Sequence, residues 1–577
     1  MKIKNINIKR MKLAYNITIV LSALLFAAFL VSCEKILDPE LKDVLDAEDG
    51  FKNGFDARYA VLGINGQFQQ RIADNYFIMN ELRADLLDVT SNANEYLNQI
   101  STHQVEPGNP YVRPMDYYAV ILSCNEAIKG IKKLNNDSTL AYDNYSIDYS
   151  EVAGFRCFLY YQLAQHFSPV IYITEPLDDI DIVLDEKYPR LTHDQLIDSL
   201  ISVMETLPVL DLQDYDQIYL GRNPDGSVKK IDGYSINRSF VEKRSLLGDL
   251  YLWRGDYDRA AQMYRWNSLL DRDVQTKFKC TYGPFGYNSQ DANSDFSWGE
   301  MFMTSYEGTS SSSLYNEWFW HAIIDGRFDQ YNNIVKYTSN YYGDYLVKPS
   351  QLAINKWQSQ YLNNGQEGDL RGEDASWRYE NGEPVVYKYL MEVTTPFQHD
   401  ADLYLCRTGT IFLRYAEAVN RLGKCKLALA MLNPQGGSLA ADPASSDPNW
   451  RIDPTYEFDS IFDRDKKHLF ALSKGVRGRC SVAENAIPAQ ASLQDSILYI
   501  ENLISQEYAL ELAFEGDRWM NLLRIATRRE REAPGSGTTF ISDAVSSKFT
   551  AKGDVTSATL VKNHLMNVKG WFIPLEE

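Results

Sequence analysis

Two stretches of this chain share one cadence of small and aromatic residues. In the first, Leu247-Gly248 leads to Tyr251, Gly255, Tyr257, Ala260 and Tyr264; in the second, Tyr415-Ala416 leads to Val419, Gly423, Ala428 and Leu432. Each copy sets a glycine five positions before a small alanine, Gly255 to Ala260 and Gly423 to Ala428. That is the tetratricopeptide pattern, in which small residues let two antiparallel helices approach closely. The two copies lie far apart, so the array is interrupted by a large insertion. A chain built this way is mostly α, and its scaffold names no chemistry by itself.

Other segments extend the helical reading. Tyr117, Ile121, Cys124, Ala127 and Ile131 recur at three- and four-residue steps, as do Val152, Phe155, Leu159 and Leu163, giving two helices between about 111 and 167. Ser168-Pro169 ends the second. A third helix starts at the N-cap Thr192 and runs through Leu196, Leu200 and Leu207 to Pro208. A further pair is expected over Ser496–Leu512 and Phe514–Ala526. The stretch 272–400 differs: it is rich in Gly, Asn, Ser, Tyr and Trp, with the small flexible run Ser310–Ser313. Loops should dominate there, with a few short strands such as Met301–Met303 and Val385–Tyr389. Loops held on a rigid scaffold are where binding usually sits.

The first residues form an export signal. Lys2, Lys4, Lys9, Arg10 and Lys12 precede an apolar run, Ile17–Val31, broken only by Thr18 and Ser22. A transmembrane helix needs about 20 apolar residues, so a signal peptide is the better reading. The run closes on Leu30-Val31-Ser32-Cys33, which resembles a bacterial lipobox. Residues 1–32 are then the signal, and Cys33 is the lipidated first residue of the mature chain.

Composition excludes some functions. The formal charge is -20 even with the five leader cations counted, so the basic footprint of a nucleic-acid binder is absent. Cys124, Cys157, Cys280, Cys406, Cys425 and Cys480 are scattered without a CxxC pair, which argues against a zinc site. Cys124, Cys157, Cys406 and Cys425 sit in apolar helical contexts and read as small buried residues. His103, His166, His193, His321, His399, His468 and His564 lie far apart, and no metal or other cofactor is expected. The acidic run Asp178, Asp179, Asp181 and Asp185 reads as a solvated loop. No nucleophile elbow, P-loop, dinucleotide fingerprint or HExxH is present. A glycosidase would need two facing carboxylates, and candidates such as Asp325 or Asp329 have no distinguishing context. Glu507, Glu511 and Glu515 recur every four residues, with Arg518 and Arg524 beyond, which is the spacing of ion pairs along a helix face. No catalytic residue is assigned.

Several motifs, in order, resemble the SusD/RagB type of outer-membrane lipoprotein. They begin with the lipobox and Tyr118–Asn125, followed by Glu151–Arg156 leading to Tyr160, and then His166–Val170. Leu247–Ala260, Gly368–Arg371 and Lys388-Tyr389 come next. Leu413–Ala418, Glu511–Trp519 and the terminal Trp571–Glu576 complete the set. Tyr508 stands where that family commonly has Arg, and Asn521 where it has Asp, which puts local salt bridges in question. The resemblance implies a SusD-like fold in three parts after the signal. These are 33–271 with helical repeats, the loop-rich insertion 272–400, and 401–577 with further repeats.

It also implies a function. The chain is expected to be a non-enzymatic lipoprotein of the outer membrane, facing the outside and held there by its lipid anchor. It would bind an oligomeric nutrient and deliver it to a SusC-like TonB-dependent barrel transporter. A glycan is the expected ligand; a peptide, or a surface glycan-cleaving activity, is the alternative. The family's ligand site is formed by loops away from the repeat helices. Here that points to Tyr96, in the polar run Ser91–Glu95, and to Trp318, Trp320 and Tyr331 in the insertion, with Tyr341 and Tyr342 nearby. Such rings stack on sugar faces, and Asn94 and Asn332 would add amide hydrogen bonds.

Overall fold

A helix persists where apolar side chains find a common core and the end groups find caps, and most of this chain meets both conditions. The structure, a computed structural model, describes residues 50–177, 187–210, 214–231, 235–265, 302, 318–324, 332–390, 401–433, 475–480 and 482–575. Met1–Lys52 separates as a unit represented by residues 50–52 alone, and the described helices and strands all belong to Asn53–Glu577. Cys33, the signal segment, Ser310–Ser313 and the acidic run after Leu177 lie outside the described residues, and of the strand expected at Met301–Met303 only Phe302 is described, in a helical turn rather than a strand.

The helices read from periodicity are present. Pro114–Asn136 and Tyr142–His166 pack against each other, and His193–Met204 begins at Thr192, whose capping box uses Gln195. The repeat cadence yields two hairpins, Lys243–Arg254 with Tyr257–Arg265 and Thr408–Arg421 with Cys425–Leu432. Gly248 allows the close approach: a Cβ there would stand 2.8 Å from the Tyr264 ring. Gly255 closes its helix in the left-handed region at φ +88°, which a Cβ would oppose. Leu493–Glu511 and Arg518–Glu532 make the last expected pair, and Ser536–Ala551 and Val555–Leu565 follow it.

Two further helices, Gly54–Arg71 and Ala73–Leu82, have no counterpart in the periodicity reading. For Ala73–Leu82 the reason is burial, whereas Gly54–Arg71 buries one face, Ala57, Val61, Ile64 and Phe68. Every residue of Ala73–Leu82 except Asp74 is inside, so no polar face alternates with an apolar one. The strands form four two-stranded antiparallel sheets, and no larger sheet occurs among the described residues. Within the insertion, Asn333–Thr338 and Gln351–Gln358 are helical, and the strand expected over Val385–Tyr389 appears as Glu383–Val386. The mostly α reading holds. No described helix is long and apolar enough to cross a membrane. Cys124 and Cys157 are buried free thiols on helices as read; Cys406 is buried too but on the strand Ala401–Arg407 rather than a helix, and Cys425 is half-buried.

The glutamates spaced by four do form ion pairs, and the pairs are buried. Arg371 meets Asp369 at 2.7 Å, Glu507 at 2.6 Å and Glu511 at 2.8 Å. Arg407 meets Glu511 at 2.8 Å and Glu515 at 2.7 Å, and Lys388 meets Glu515 at 2.6 Å. Burial pushes the Glu417 carboxyl up, yet Arg524 and Arg528 beside it bring it down to about 2. The two departures from the family pattern are absorbed here. The Tyr508 hydroxyl accepts from Arg524 at 3.3 Å, and the Asn521 carbonyl oxygen accepts from Arg518 at 3.1 Å.

Glu511 answers two buried guanidinium groups at once. Removing one partner of a buried pair costs about 3–5 kcal/mol, so Glu511→Ala should lose at least that much in urea unfolding. A loss comparable to an exposed alanine substitution would show that Asp369, Glu507 and Glu515 suffice alone.

Glu81 behaves oppositely. It is fully buried, accepts the Gly516 N–H at 2.8 Å, and burial pushes its carboxyl up to about 8. The unfolded chain releases that proton near 4.5, so between about 4.5 and about 8 folding takes up a proton and stability falls as pH rises. Glu81→Gln should remove this contribution, so the variant should gain on the parent across that range in urea midpoints. Parallel curves for parent and variant would mean that Glu81 is ionised in the folded protein.

Candidate ligand-binding site

Two loop-rich segments far apart in sequence are joined by one short ladder. Leu87–Val89 pairs antiparallel with Val347–Pro349, with Leu87 opposite Pro349 and Val89 opposite Val347. Beyond the ladder the Thr90 N–H donates to the Leu346 carbonyl at 3.0 Å and the Asn92 amide to that of Asp344 at 3.2 Å. The polar loop before Tyr96 is thereby held beside the end of the Asn-rich stretch of the insertion.

Aromatic and amide groups gather where these segments meet. Asn94 caps Glu95–Ser101 by accepting the Leu97 N–H at 3.1 Å, and its amide donates to the Tyr111 hydroxyl at 3.2 Å. The Tyr111 ring stands edge-on to Tyr337 at 6.2 Å. Asp74 anchors the cluster: it accepts from the Tyr337 hydroxyl at 3.0 Å, from Asn333 at 3.4 Å and from Arg113 at 2.7 Å. Burial and then the Asp74 charge push the Tyr337 phenol well up, so it stays a neutral donor. Tyr96 is 43% exposed and Tyr341 69%. The Tyr342 ring meets Tyr341 edge-on at 4.6 Å, and the Ser339 hydroxyl, accepting both their N–H groups, sets the turn. The result is a set of part-exposed phenol rings with amide, guanidinium and carboxylate groups at their edges. Such a surface offers apolar faces and neutral hydrogen-bond partners together.

The residues named from sequence divide. Tyr96 and Tyr341 are exposed and Tyr342 is half-buried, in the two segments that the ladder joins. Trp320 differs. It is 5% exposed, with its ring 4.4 Å from Phe158 and 6.4 Å from Phe155, and it belongs to the core. Its strand, Trp318–Ile324, pairs with Ala401–Arg407, every residue of which is buried, so the strand runs through the interior. For Trp318 only the backbone is described, opposite Arg407, and Tyr331 lies outside the described residues. Asn332 is buried and spends its side-chain oxygen capping Asn333–Thr338, so the amide contact expected of it is a structural one. Tyr111, Tyr337, Arg113 and Asp74 were not anticipated. Tyr337 sits in Asn-rich sequence that signals it; Asp74, on a buried helix, carries no such mark.

No protein-family model matches the chain. Over 520 residues it is 22% identical to the SusD-like protein P2 of Formosa agariphila, covering 88% of this chain and 90% of that one. A SusD superfamily protein of Bacteroides vulgatus superposes with a TM-score of 0.59 at 12% identity, over 89% of this chain and 92% of the other. The surface glycan-binding protein A of Bacteroides uniformis gives 0.55 at 15% identity, over 90% and 95%. A SusD-like carbohydrate binding protein of Bacteroides fragilis gives 0.55 at 14%, over 82% and 86%. The fold is that of the SusD superfamily. The SusD/RagB resemblance read from the motifs therefore holds.

Proposed function

We propose that the chain is a lipid-anchored protein of the outer membrane surface that holds an oligomeric glycan and passes it to a TonB-dependent barrel transporter. The observation that carries this reading is the tyrosine and amide surface around Tyr96, Tyr111, Tyr337 and Tyr341, set on a rigid helical scaffold. Phenol rings stack on the apolar faces of sugars, while Asn94, Asn333, Arg113 and Asp74 supply partners for hydroxyl groups. Support also comes from two proteins of this fold, one named for glycan binding and one for carbohydrate binding. The work is binding rather than turnover, and no cofactor enters it.

Losing one stacking ring should weaken binding by about 1–3 kcal/mol, taking base–aromatic stacking as the nearest analogue. Calorimetric titration of Tyr96→Ala and Tyr341→Ala against the glycan that the parent binds should therefore show roughly five- to 150-fold weaker affinity, with both variants folded. Parent-like affinity in both would move the site elsewhere.

The anchor and the transporter are tested together by fractionation. One acyl chain gives only marginal membrane binding, so the several chains of a bacterial lipoprotein are needed for stable anchoring. Cys33→Ala should leave outer membranes or accumulate as an uncleaved precursor, whereas the parent, purified in mild detergent, should bring a barrel protein in near-equal amount. Mature-sized Cys33→Ala in the membrane fraction would sink the anchor, and recovery of the parent alone would sink the partnership.

A further inference from the structure

The phenol and amide groups of the tyrosine surface suit many glycans, and the charges set among them narrow the choice. Arg113 is the cation beside Tyr111. Its Nη2 donates to Asp74 at 2.7 Å, and its Nε stands 3.4 Å from Asp116, in the first turn of Pro114–Asn136. That Nε makes no hydrogen bond among the described residues, so Asp116 acts on it through charge alone. The Arg113 side chain is 35% exposed, that of Asp116 28% and that of Asp74 17%, so a ligand at the guanidinium meets both carboxylates as well. Burial works to lower the Arg113 pKa, yet Asp74 and after it Asp116 hold it above its ordinary range.

One positive charge between two negative ones makes a locally negative site. The neighbouring elements do not reverse that sign. Lys336 faces Asp344 at 3.9 Å, and Lys348 faces Glu383 at 3.5 Å. Glu95 is exposed and directly follows Asn94, whose amide donates to the Tyr111 hydroxyl. The whole chain carries a formal charge of -20, which works in the same direction at longer range. An anionic sugar drawn to Arg113 is therefore opposed by Asp116 and Asp74 within the same few ångströms. A hydroxyl group meets no such opposition, because it carries no charge.

Resting on the glycan reading above, we propose that this surface selects neutral glycans over acidic ones, and that Asp116 sets the choice by countering the Arg113 charge. The full mature chain would be titrated by calorimetry at low salt with oligomers of glucose, galactose and mannose, and with the uronate oligomer of each. Members of a pair then differ only in a carboxylate replacing a hydroxymethyl group. The neutral member of a bound pair should bind about tenfold or more tighter than its uronate, and the gap should shrink as salt is raised. Asp116→Asn should narrow the gap about tenfold, and adding Arg113→Gln to it should open the gap again. Asp116→Ser removes the same charge and serves should Asp116→Asn disturb the start of the helix.

Two results would overturn the selection while leaving the glycan reading in place. One is a uronate oligomer that binds the parent as tightly as its neutral partner and loses that binding in Tyr341→Ala. The other is a gap that neither Asp116 variant changes. No binding by either member of any pair, or binding indifferent to both Tyr96→Ala and Tyr341→Ala, would instead overturn the glycan reading and the selection with it.

Discussion

Everything else in this fold is arranged around Arg407. Its guanidinium group donates to Glu515 at 2.7 Å, to the Glu511 carboxylate at 2.8 Å and to the Glu511 carbonyl at 2.7 Å, with no exposure to solvent. Glu511 then passes the constraint to Arg371, and Glu507 passes it on to Arg477 at 2.8 Å. Room is fully used: a Cβ on Gly409 would come within 2.5 Å of both the Arg407 and Glu511 side chains. Taking each such ion out of water costs several kcal/mol, so the lattice is poor as a source of net stability. Its value is geometric, because only one arrangement of the insertion, the Ala401–Arg407 strand and the Leu493–Glu511 helix satisfies all the charges together.

That geometry reaches the candidate surface through a second set of buried contacts. Arg518 grips Asp85 through two bonds, at 2.6 and 2.9 Å, and Glu81 accepts the Gly516 N–H. Lys548, itself buried, donates to the carbonyls of Leu82 at 2.7 Å and Leu87 at 3.2 Å. These three contacts fix Ala73–Leu82 and the strand after it. The strand holds Val347–Pro349, and Asp74, at the start of the same helix, holds Arg113, Asn333 and Tyr337. Of the tyrosines, Tyr96 and Tyr337 stand on short helices, and Tyr337 is tied directly to Asp74.

The sequence makes the scaffold legible and the site only partly so, for a physical reason. Helical periodicity survives in Pro114–Asn136 and His193–Met204, each with one face against the core, whereas the first helix of each repeat hairpin is buried almost throughout and is read from its cadence of small and aromatic residues. It vanishes in Ala73–Leu82, where almost every residue is inside, and so the residue anchoring the site, Asp74, goes unseen. The four-residue spacing of Glu507, Glu511 and Glu515 announces a helix face, but not that the face looks inward onto arginines from 371 and 407. Trp320 shows the converse error. An aromatic residue in Asn- and Ser-rich sequence resembles a binding residue, and only the pairing of its strand with the buried Ala401–Arg407 reveals it as core. The exposure of Tyr96 is legible because its neighbours are short polar residues that build no core of their own.

The same division explains how one fold is kept at 12% identity, over 89% of this chain, with a Bacteroides vulgatus protein. A buried charge demands a partner of fixed type at a fixed place, whereas an exposed tyrosine demands only a loop held at the right height. Arg407 cannot be removed without leaving Glu511 to Arg371 alone and Glu515 to Lys388 alone in the interior. Tyr96 and Tyr341 can be exchanged, shifted or removed with little effect on the core, since their side chains contribute faces to solvent rather than contacts to the lattice. The exposed tyrosines can therefore change while the arginine lattice, which carries the fold, stays as it is.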